Sequence, residues 1–448
     1  MKTILLQYGK EYIKVNVPDH TGILSGKEIK PPVEPVREIY RSLNEPIGSA
    51  PLRQLARGRK SAAIVVSDNT RPVPYKEPNG ILEPIIETLK QSGVSDIKII
   101  VACGTHRPMT KSELRDMLGN CAFREGIEII NHQATDESML RLIGRTQRSG
   151  DVTVNRYYLD AKLKIATGLV EPHFMAGFSG GRKAICPGIC GQSVTYSLHS
   201  ASILNEEGTK SLALEGNSCH EEALRIAKMA GVDFIVNVTI DRHKRMTGVF
   251  CGDLEKAHLA AVEHLRSFAS AELSKLYDIV VTQAGDVGVN HYQCAKAAFE
   301  AARATKREGS VILLAKLTDP DPLGSQNYKE MLRLLIQLGP SAFCHKLLSS
   351  DWTFVPDQWQ VQMWAKIFAK LGDFKKMYLC SPRLSELPEG VIPEINVADK
   401  FRPPVDKDEI TYASQMVQHT IDKLCAANPK AEILVLPEGP YLVPNYDK

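Results

Sequence analysis

Short runs of aliphatic residues, many of them β-branched, alternate along this chain with longer stretches in which apolar residues recur every three or four positions. The short runs predict strands at 61–67 (SAAIVVS), 97–102 (IKIIVA), 127–131 (IEIIN), 163–167 (LKIAT) and 234–238 (FIVNV). The longer stretches predict helices at 82–91, 111–118, 198–204, 219–229 and 254–267. The rhythm resumes with strands at 278–283, 311–315, 377–380 and 433–436 and helices near 292–304, 328–337 and 412–426, whereas 341–357 shows no clear period. Strands alternating with helices signal an α/β fold whose sheets are largely parallel and flanked by helices. A chain of 448 residues exceeds one ordinary core. A charged helical run ends and a new strand begins around 270–276. Residues 1–272 are therefore expected to form an N-terminal α/β domain and 273–448 a C-terminal one.

Hydrophobic residues make up 43% and charged residues 24%, the balance of a soluble globular protein and not of a disordered chain. The net charge of +3 is spread without a basic block, which argues against nucleic acid and anionic membranes as partners. In the opening MKTILLQYGKEYIKVNVP the apolar stretch is too short, and too soon followed by charges, for a signal peptide. No run approaches the roughly 18 apolar residues of a membrane span. Ten cysteines at irregular spacings read as reduced, mostly buried thiols, and the expected compartment is the cytoplasm.

The unusual polar residues come directly after strands: SDNTRP after the first, CGTHRP after the second, NHQ after the third and GLVEPH after the fourth. Ligands of open α/β sheets bind at the carboxyl ends of strands, so these loops are expected to converge on one crevice. Asp68 and Arg71 lie in a proline-closed turn. The arginine suits a substrate carboxylate, the alternative being an Asx turn with an exposed arginine. His106 follows Gly104 and either moves protons near neutral pH or satisfies loop carbonyls. The densest stretch is 168–191 (GLVEPHFMAGFSGGRKAICPGICG), and long glycine loops are usually functional. Within it, FSGGRK (178–183) has the make-up of a backbone phosphate cradle, although not the Walker spacing. Lys183 can pair with phosphate or act as a covalent nucleophile; the alternative is a structural turn with a solvated lysine. Cys186 and Cys190 lack the spacing of a zinc or redox pair and read as inert thiols. His199, on the predicted helix beyond the loop, reads by itself as a packed histidine. In the second half, YQCAK (292–296) opens a helix and places Gln293 and Lys296 on one face, toward a carboxylate or toward solvent. Trp359, in PDQWQVQ (356–362), is a lid over a pocket or part of a core.

Taken together, in order and spacing, SDNTRP, GTHRP, EPH, FSGGRK, PG, a histidine sixteen residues past that lysine, and YQxxK resemble the nickel-dependent lactate racemase family. The resemblance covers most of the chain and is strongest over 67–200 and 286–296. It implies a racemase or epimerase that inverts C2 of a 2-hydroxy acid by hydride transfer to and from a nickel-pincer nucleotide. That cofactor is a pyridinium bis-thiocarboxylate mononucleotide, here tethered through Lys183, with His199 as the protein's ligand to nickel. The resemblance makes His106 and His173 the two acid/base groups, one for each enantiomer, so that activity falls in acid as they charge. It assigns Arg71, Tyr292, Gln293 and Lys296 to the substrate and Trp359 to the cap of the pocket. Asp68 would orient the cofactor or Arg71, and Ser179, Gly180 and Gly181 would carry the nucleotide phosphate. The site is implied in a cleft between the two domains, closing on the substrate to exclude water. The implied partners are a small 2-hydroxy acid, from lactate to longer or sugar-derived acids, and the enzymes that build the cofactor and insert nickel. Departures lie in the surroundings, at Cys186, Cys190, Asn290 and His291. Two alternatives compete. A nucleotide-dependent dehydrogenase requires a GxGxxG turn after the first strand, and none is present. A non-catalytic carboxylate- or nucleotide-binding relative has no use for the histidines.

Overall fold

The strand Ser61–Ser67 is buried without interruption from Ala62 to Val66, so both of its faces must be covered, as in a parallel sheet between two helix layers. The computed structural model describes residues 1–401 and 408–446, and this strand lies in the middle of a six-stranded sheet. The order is Met246–Gly252, Phe234–Ile240, Leu163–Leu169, Ser61–Ser67, Asp96–Ala102 and Ile127–Asn131. All neighbours are parallel except the first pair. Alternate side chains go to opposite layers. Ile64 and Val66 join Ile85, Ile86 and Leu89 of the helix Leu82–Gln91, while Ala63 and Val65 join Ile189, Val194 and Ile226. Ile64 is wholly buried, so Ile64→Ala is expected to destabilise this unit by about 2–5 kcal/mol. The change should read as a lower urea midpoint at unchanged slope.

This order contains a switch point. From Ser61–Ser67 the chain runs outward to Asp96–Ala102 and Ile127–Asn131, then returns to place Leu163–Leu169 on the other side. Loops leaving these strands therefore part between Ser67 and Leu169, the place where open α/β sheets bind their ligands. The loop after Asp96–Ala102 is anchored at its far end. Thr110 and Glu113 form a capping box on the helix Lys111–Leu118, and Arg107 is drawn onto Glu113.

The chain divides into two units, but not as two successive halves. Residues 28–268 form one, and residues 1–27 join 269–448 in the other. The expected N-terminal domain of 1–272 thus loses its first 27 residues. The reason lies in the hairpin Lys2–Tyr8/Glu11–Val17, whose second strand alternates exposed and buried positions and must cover an apolar surface. It finds that surface on the helix Glu409–Ala427: the Tyr8 hydroxyl donates to Glu409 (2.7 Å) and the Asn16 amide to Gln418 (2.7 Å). The next short strand, Gly22–Ile23, then extends a second six-stranded sheet. That sheet runs Ile395–Asn396, Met377–Cys380, Thr305–Leu314, Tyr277–Gln283, Ile433–Leu436, Gly22–Ile23, every pair parallel.

Three further differences from expectation bear on the site. The helix expected over 198–204 is two helices, Gln192–Leu198 and Ala201–Asn205, with His199 at the break. The region 341–357 contains most of the helix Pro340–Leu348, and Trp359 opens a further helix, Gln358–Leu371. A hairpin, Leu140–Thr146/Gly150–Asn155, bridges through Val154 to Cys190 in the glycine-rich stretch. Among the described residues no helix is long and apolar enough to cross a membrane.

Candidate active site

Around the switch point of the unit 28–268, loops from three neighbouring strands meet. Asp68, buried at the end of the central strand, accepts from the Thr70 amide (3.1 Å) and hydroxyl (2.6 Å) through Oδ1, and its Oδ2 lies 2.7 Å from His106 Nδ1. Burial raises the Asp68 carboxyl, but the hydrogen bonds of His106 and Thr70 and the charge of Arg71 outweigh it and leave it below its usual value. The carboxylate was expected to orient the cofactor or Arg71; its hydrogen bonds here go to Thr70 and His106, and the Arg71 charge also acts on it. The His106 side chain is 56% exposed, so its far nitrogen is open to a reactant. Arg71 Nε pairs with Glu171 at 3.0 Å. Glu171 was not singled out from sequence, although it stands in a post-strand loop two residues before a candidate histidine. In that loop His173 Nδ1 accepts the backbone amides of Met175 (3.2 Å) and Ala176 (3.1 Å).

The glycine-rich stretch is stitched to the His106 loop by its backbone. The Gly104 amide donates to the Gly188 carbonyl (3.0 Å), and the Gly188 amide to that of Lys183 (3.2 Å). Lys183 stands on the turn Gly181–Ala184. Burial pushes its amine down to about 8; Arg182 and Arg71 add to the effect and Cys219 opposes it. His199 follows the helix Gln192–Leu198, and its Nδ1–H donates to the Thr195 carbonyl (2.8 Å). A histidine held in this way offers Nε2 as a ligand. Burial, then the charge of Lys183, push the ring down to about 4 against the Thr195 carbonyl, with His106 adding a smaller push, so it is neutral at neutral pH. These interactions place Lys183, His199 and His106 in one neighbourhood.

At Ser179–Gly181, where a phosphate cradle was expected, several polar groups are engaged within the protein. The Ser179 hydroxyl donates to the Leu169 carbonyl (2.7 Å) and accepts the Glu171 amide (2.9 Å), while the Ser179 and Gly181 amides donate to the Glu171 carbonyl and Asn237. Gly180 and Gly181 have φ of 72° and 51°, and a Cβ on either would lie 2.6 Å from Val170 or 2.8 Å from the His258 ring. The turn is closely packed against Val170 and His258. Arg182 is buried in it and donates to the Ala176 carbonyl (2.8 Å). The NHQ loop, on the edge strand, is likewise internal: His132 is buried, with Nε2 2.9 Å from the Cys190 carbonyl and Nδ1 3.1 Å from the Asn155 amide nitrogen. Cys186 and Cys190 are buried free thiols, as expected of inert cysteines.

Two histidines behind the site carry a pH prediction. Burial first, then the charge of Arg182, push His220 and His258 down to about 3. An unfolded histidine titrates near 6.5, so between about 3 and 6.5 the unfolded chain binds more protons than the folded one. Stability rises with pH across that window. The thermal midpoint should therefore fall steadily as pH is lowered below about 6.5; a flat profile down to pH 4 would contradict neutral buried rings.

In the other unit, Asn290 caps the helix His291–Ala304 and accepts the Gln293 amide (2.9 Å). Trp359 Nε1 donates to the Tyr292 hydroxyl (2.7 Å), and its ring is buried against Phe354. Trp359 is thus fixed in an aromatic pair with Tyr292. Gln293 and Lys296 share a helix face one turn apart, and the buried Gln293 Oε1 has no hydrogen-bond partner among the described residues. His291 belongs to the core: it sits 2.6 Å from both the Tyr328 hydroxyl and Glu394 and stacks on Trp364.

Known proteins resemble this chain over most of its length. Residues 8–211 match the lactate racemase N-terminal domain and residues 273–380 the lactate racemase C-terminal domain. The lactate racemase of Thermoanaerobacterium thermosaccharolyticum is 33% identical over 377 residues, 82% of this chain and 86% of that protein. That of Lactiplantibacillus plantarum is 33% identical over 333 residues, 73% and 76% respectively. The lactate racemase apoprotein structure from T. thermosaccharolyticum superposes with a TM-score of 0.83 at 29% identity, over 99% of this chain and 100% of that one. A Thermotoga maritima protein shares the fold at a TM-score of 0.65 and 15% identity, covering 94% of this chain and 100% of that one. The chain belongs to the lactate racemase family and is an isomerase of the racemase type.

Proposed function

We propose that this racemase inverts C2 of a 2-hydroxy acid, the hydride leaving and returning through a nickel-pincer nucleotide held on Lys183. The observation that supports this reading is that Arg71, His106 and His173 stand on loops leaving neighbouring strands at one switch point, with Lys183 on a stretch bonded to the His106 loop and His199 at the end of the helix that follows it. The residues fit the group. Lys183 supplies an amine whose value falls to about 8, so that a useful fraction is neutral and nucleophilic near physiological pH. His199 is a neutral imidazole with its Nδ1–H engaged. Among the described residues no cluster of three or more His, Cys, Asp or Glu side chains is placed to hold a metal ion. Nickel here would take the His199 imidazole from the chain and its remaining donors from the nucleotide, a soft sulfur-rich set that suits nickel(II). When bound, the group supplies a hydride acceptor and an adjacent metal.

The rest falls to the chain. His106, oriented by Asp68, takes the substrate hydroxyl proton, and His173 is the second imidazole at that oxygen. Arg71 holds the carboxylate; its guanidinium has five N–H donors, which Glu171 and the Thr70 carbonyl do not exhaust. Gln293, Lys296, Tyr292 and Trp359 are the further substrate residues that the family resemblance assigns. The enzymes that make the nucleotide and insert nickel are the implied partners.

The test is expression together with those enzymes, followed by measurement of bound nickel and of enantiomer interconversion over a panel of 2-hydroxy acids starting with lactate. Deuterium placed at C2 should be retained in the inverted product. Loss of the label to water would mean proton abstraction at carbon and overturn hydride transfer.

A further inference from the structure

A neutral imidazole carries one proton, and the hydrogen bond made by one ring nitrogen decides what the other can do. The two histidines at the switch point make opposite bonds. Asp68 is an acceptor 2.7 Å from His106 Nδ1. A carboxylate has no hydrogen to give, so Nδ1 carries the proton and the neutral ring keeps its lone pair on Nε2. At His173 the partners of Nδ1 are two donors, the amides of Met175 and Ala176. An N–H cannot point at another N–H, so the lone pair is on Nδ1 and the proton on Nε2.

The peptide that imposes this is braced from behind. The Met175 carbonyl accepts from Asn217 Nδ2 (2.9 Å) and the Ala176 carbonyl from Arg182 (2.8 Å). Both side chains are buried. Asn217 is fixed in turn, since its Oδ1 caps the helix Ser218–Ala230 by accepting the His220 amide (3.0 Å).

We propose that His106 and His173 are held in opposite tautomers, so that the site contains one proton acceptor, His106 Nε2, and one neutral hydrogen-bond donor, His173 Nε2–H, and not two interchangeable bases. The inference rests on the preceding reading that both rings act on the substrate. An enantiomer that presents its hydroxyl to His106 meets a base at once. Its mirror image, presenting the hydroxyl to His173, meets a donor that polarises oxygen without yielding its proton. That direction requires the Met175–Ala176 peptide to release Nδ1 first. Asn217 is accordingly a positioning residue for His173.

The test is a two-bond proton–nitrogen correlation on the full-length protein labelled with 15N-histidine, assigned through His106→Asn and His173→Asn. His106 should show a protonated Nδ1 and bare Nε2, and His173 the reverse. Asn217→Asp keeps the capping oxygen but removes the amide donor; it should turn the His173 pattern into a mixture of tautomers and leave His106 unchanged. The same tautomer on both rings, a charged His173 at neutral pH, or a His173 pattern indifferent to Asn217→Asp overturns the proposal. If Asn217→Asp does not fold, the wild-type pattern decides alone. Turnover is not read, so failure of the racemisation reading and failure of this one are distinguishable.

Discussion

Lys183→Ala and Lys183→Arg are both expected to abolish covalent loading of the nucleotide and to bring enantiomer interconversion down to the uncatalysed level, a loss of at least about 10⁶-fold on the usual scale of enzymatic acceleration. The arginine variant is the more telling of the two. It keeps the positive charge near Arg71 and Arg182, but a guanidinium does not deprotonate and is no nucleophile. If Lys183 served only as a counter-charge for phosphate, arginine would retain much of the activity. The intact mass of the loaded protein gives a second readout, since the adduct on residue 183 should disappear in both variants. The pH dependence of loading has a defined sign. Burial, Arg182 and Arg71 hold the amine at about 8, so the neutral, reactive fraction grows as pH rises through about 8, well below the ordinary lysine range near 10.4. Loading that shows no rise across that interval, or an adduct that survives Lys183→Ala, would remove Lys183 from its assigned role.

The sequence exposed what depends on local pattern and concealed what depends on contact. Uninterrupted apolar runs such as Ala62–Val66 announced strands covered on both faces, and the polar loops after them announced where a ligand belongs. His106 and Lys183 stood out by themselves in post-strand loops of unusual composition, whereas His173 and His199 were picked out only by the family resemblance, His199 reading by itself as a packed histidine. What stayed hidden was pairing across the fold. Nothing local links Arg71 to Glu171, Asp68 to His106 or Asn217 to the Met175 carbonyl. The glycines of FSGGRK looked like open backbone, but their freedom serves close packing against Val170 and His258. The break at His199 was missed because neither His199 nor Ser200 punctuates a helix as glycine or proline does. The docking of residues 1–27 was missed because an alternating hairpin shows that it needs a surface without saying which one.

His106→Ala is the second large effect. Removing a general base lowers turnover by about 10²–10⁴-fold, and because His106 has no part in tethering, the adduct on Lys183 should remain. Asp68→Asn belongs in the same experiment. It preserves the shape of the side chain and the bond from Thr70, yet it can present an amide hydrogen where His106 Nδ1–H requires an acceptor, which favours the wrong tautomer. The equivalent change in a Ser-His-Asp triad costs about 10⁴-fold, so Asp68→Asn should approach His106→Ala in size. The decisive figure is the double variant. If Asp68 acts through the imidazole alone, then once His106 is alanine the second change has nothing left to orient, and the double variant should be no slower than His106→Ala, a strongly non-additive cycle. A double variant slowed by the product of both effects would mean that Asp68 touches something else in the reaction, with the Arg71 turn it adjoins as the first place to look. A His106→Ala enzyme that turns over normally would dismiss the base itself.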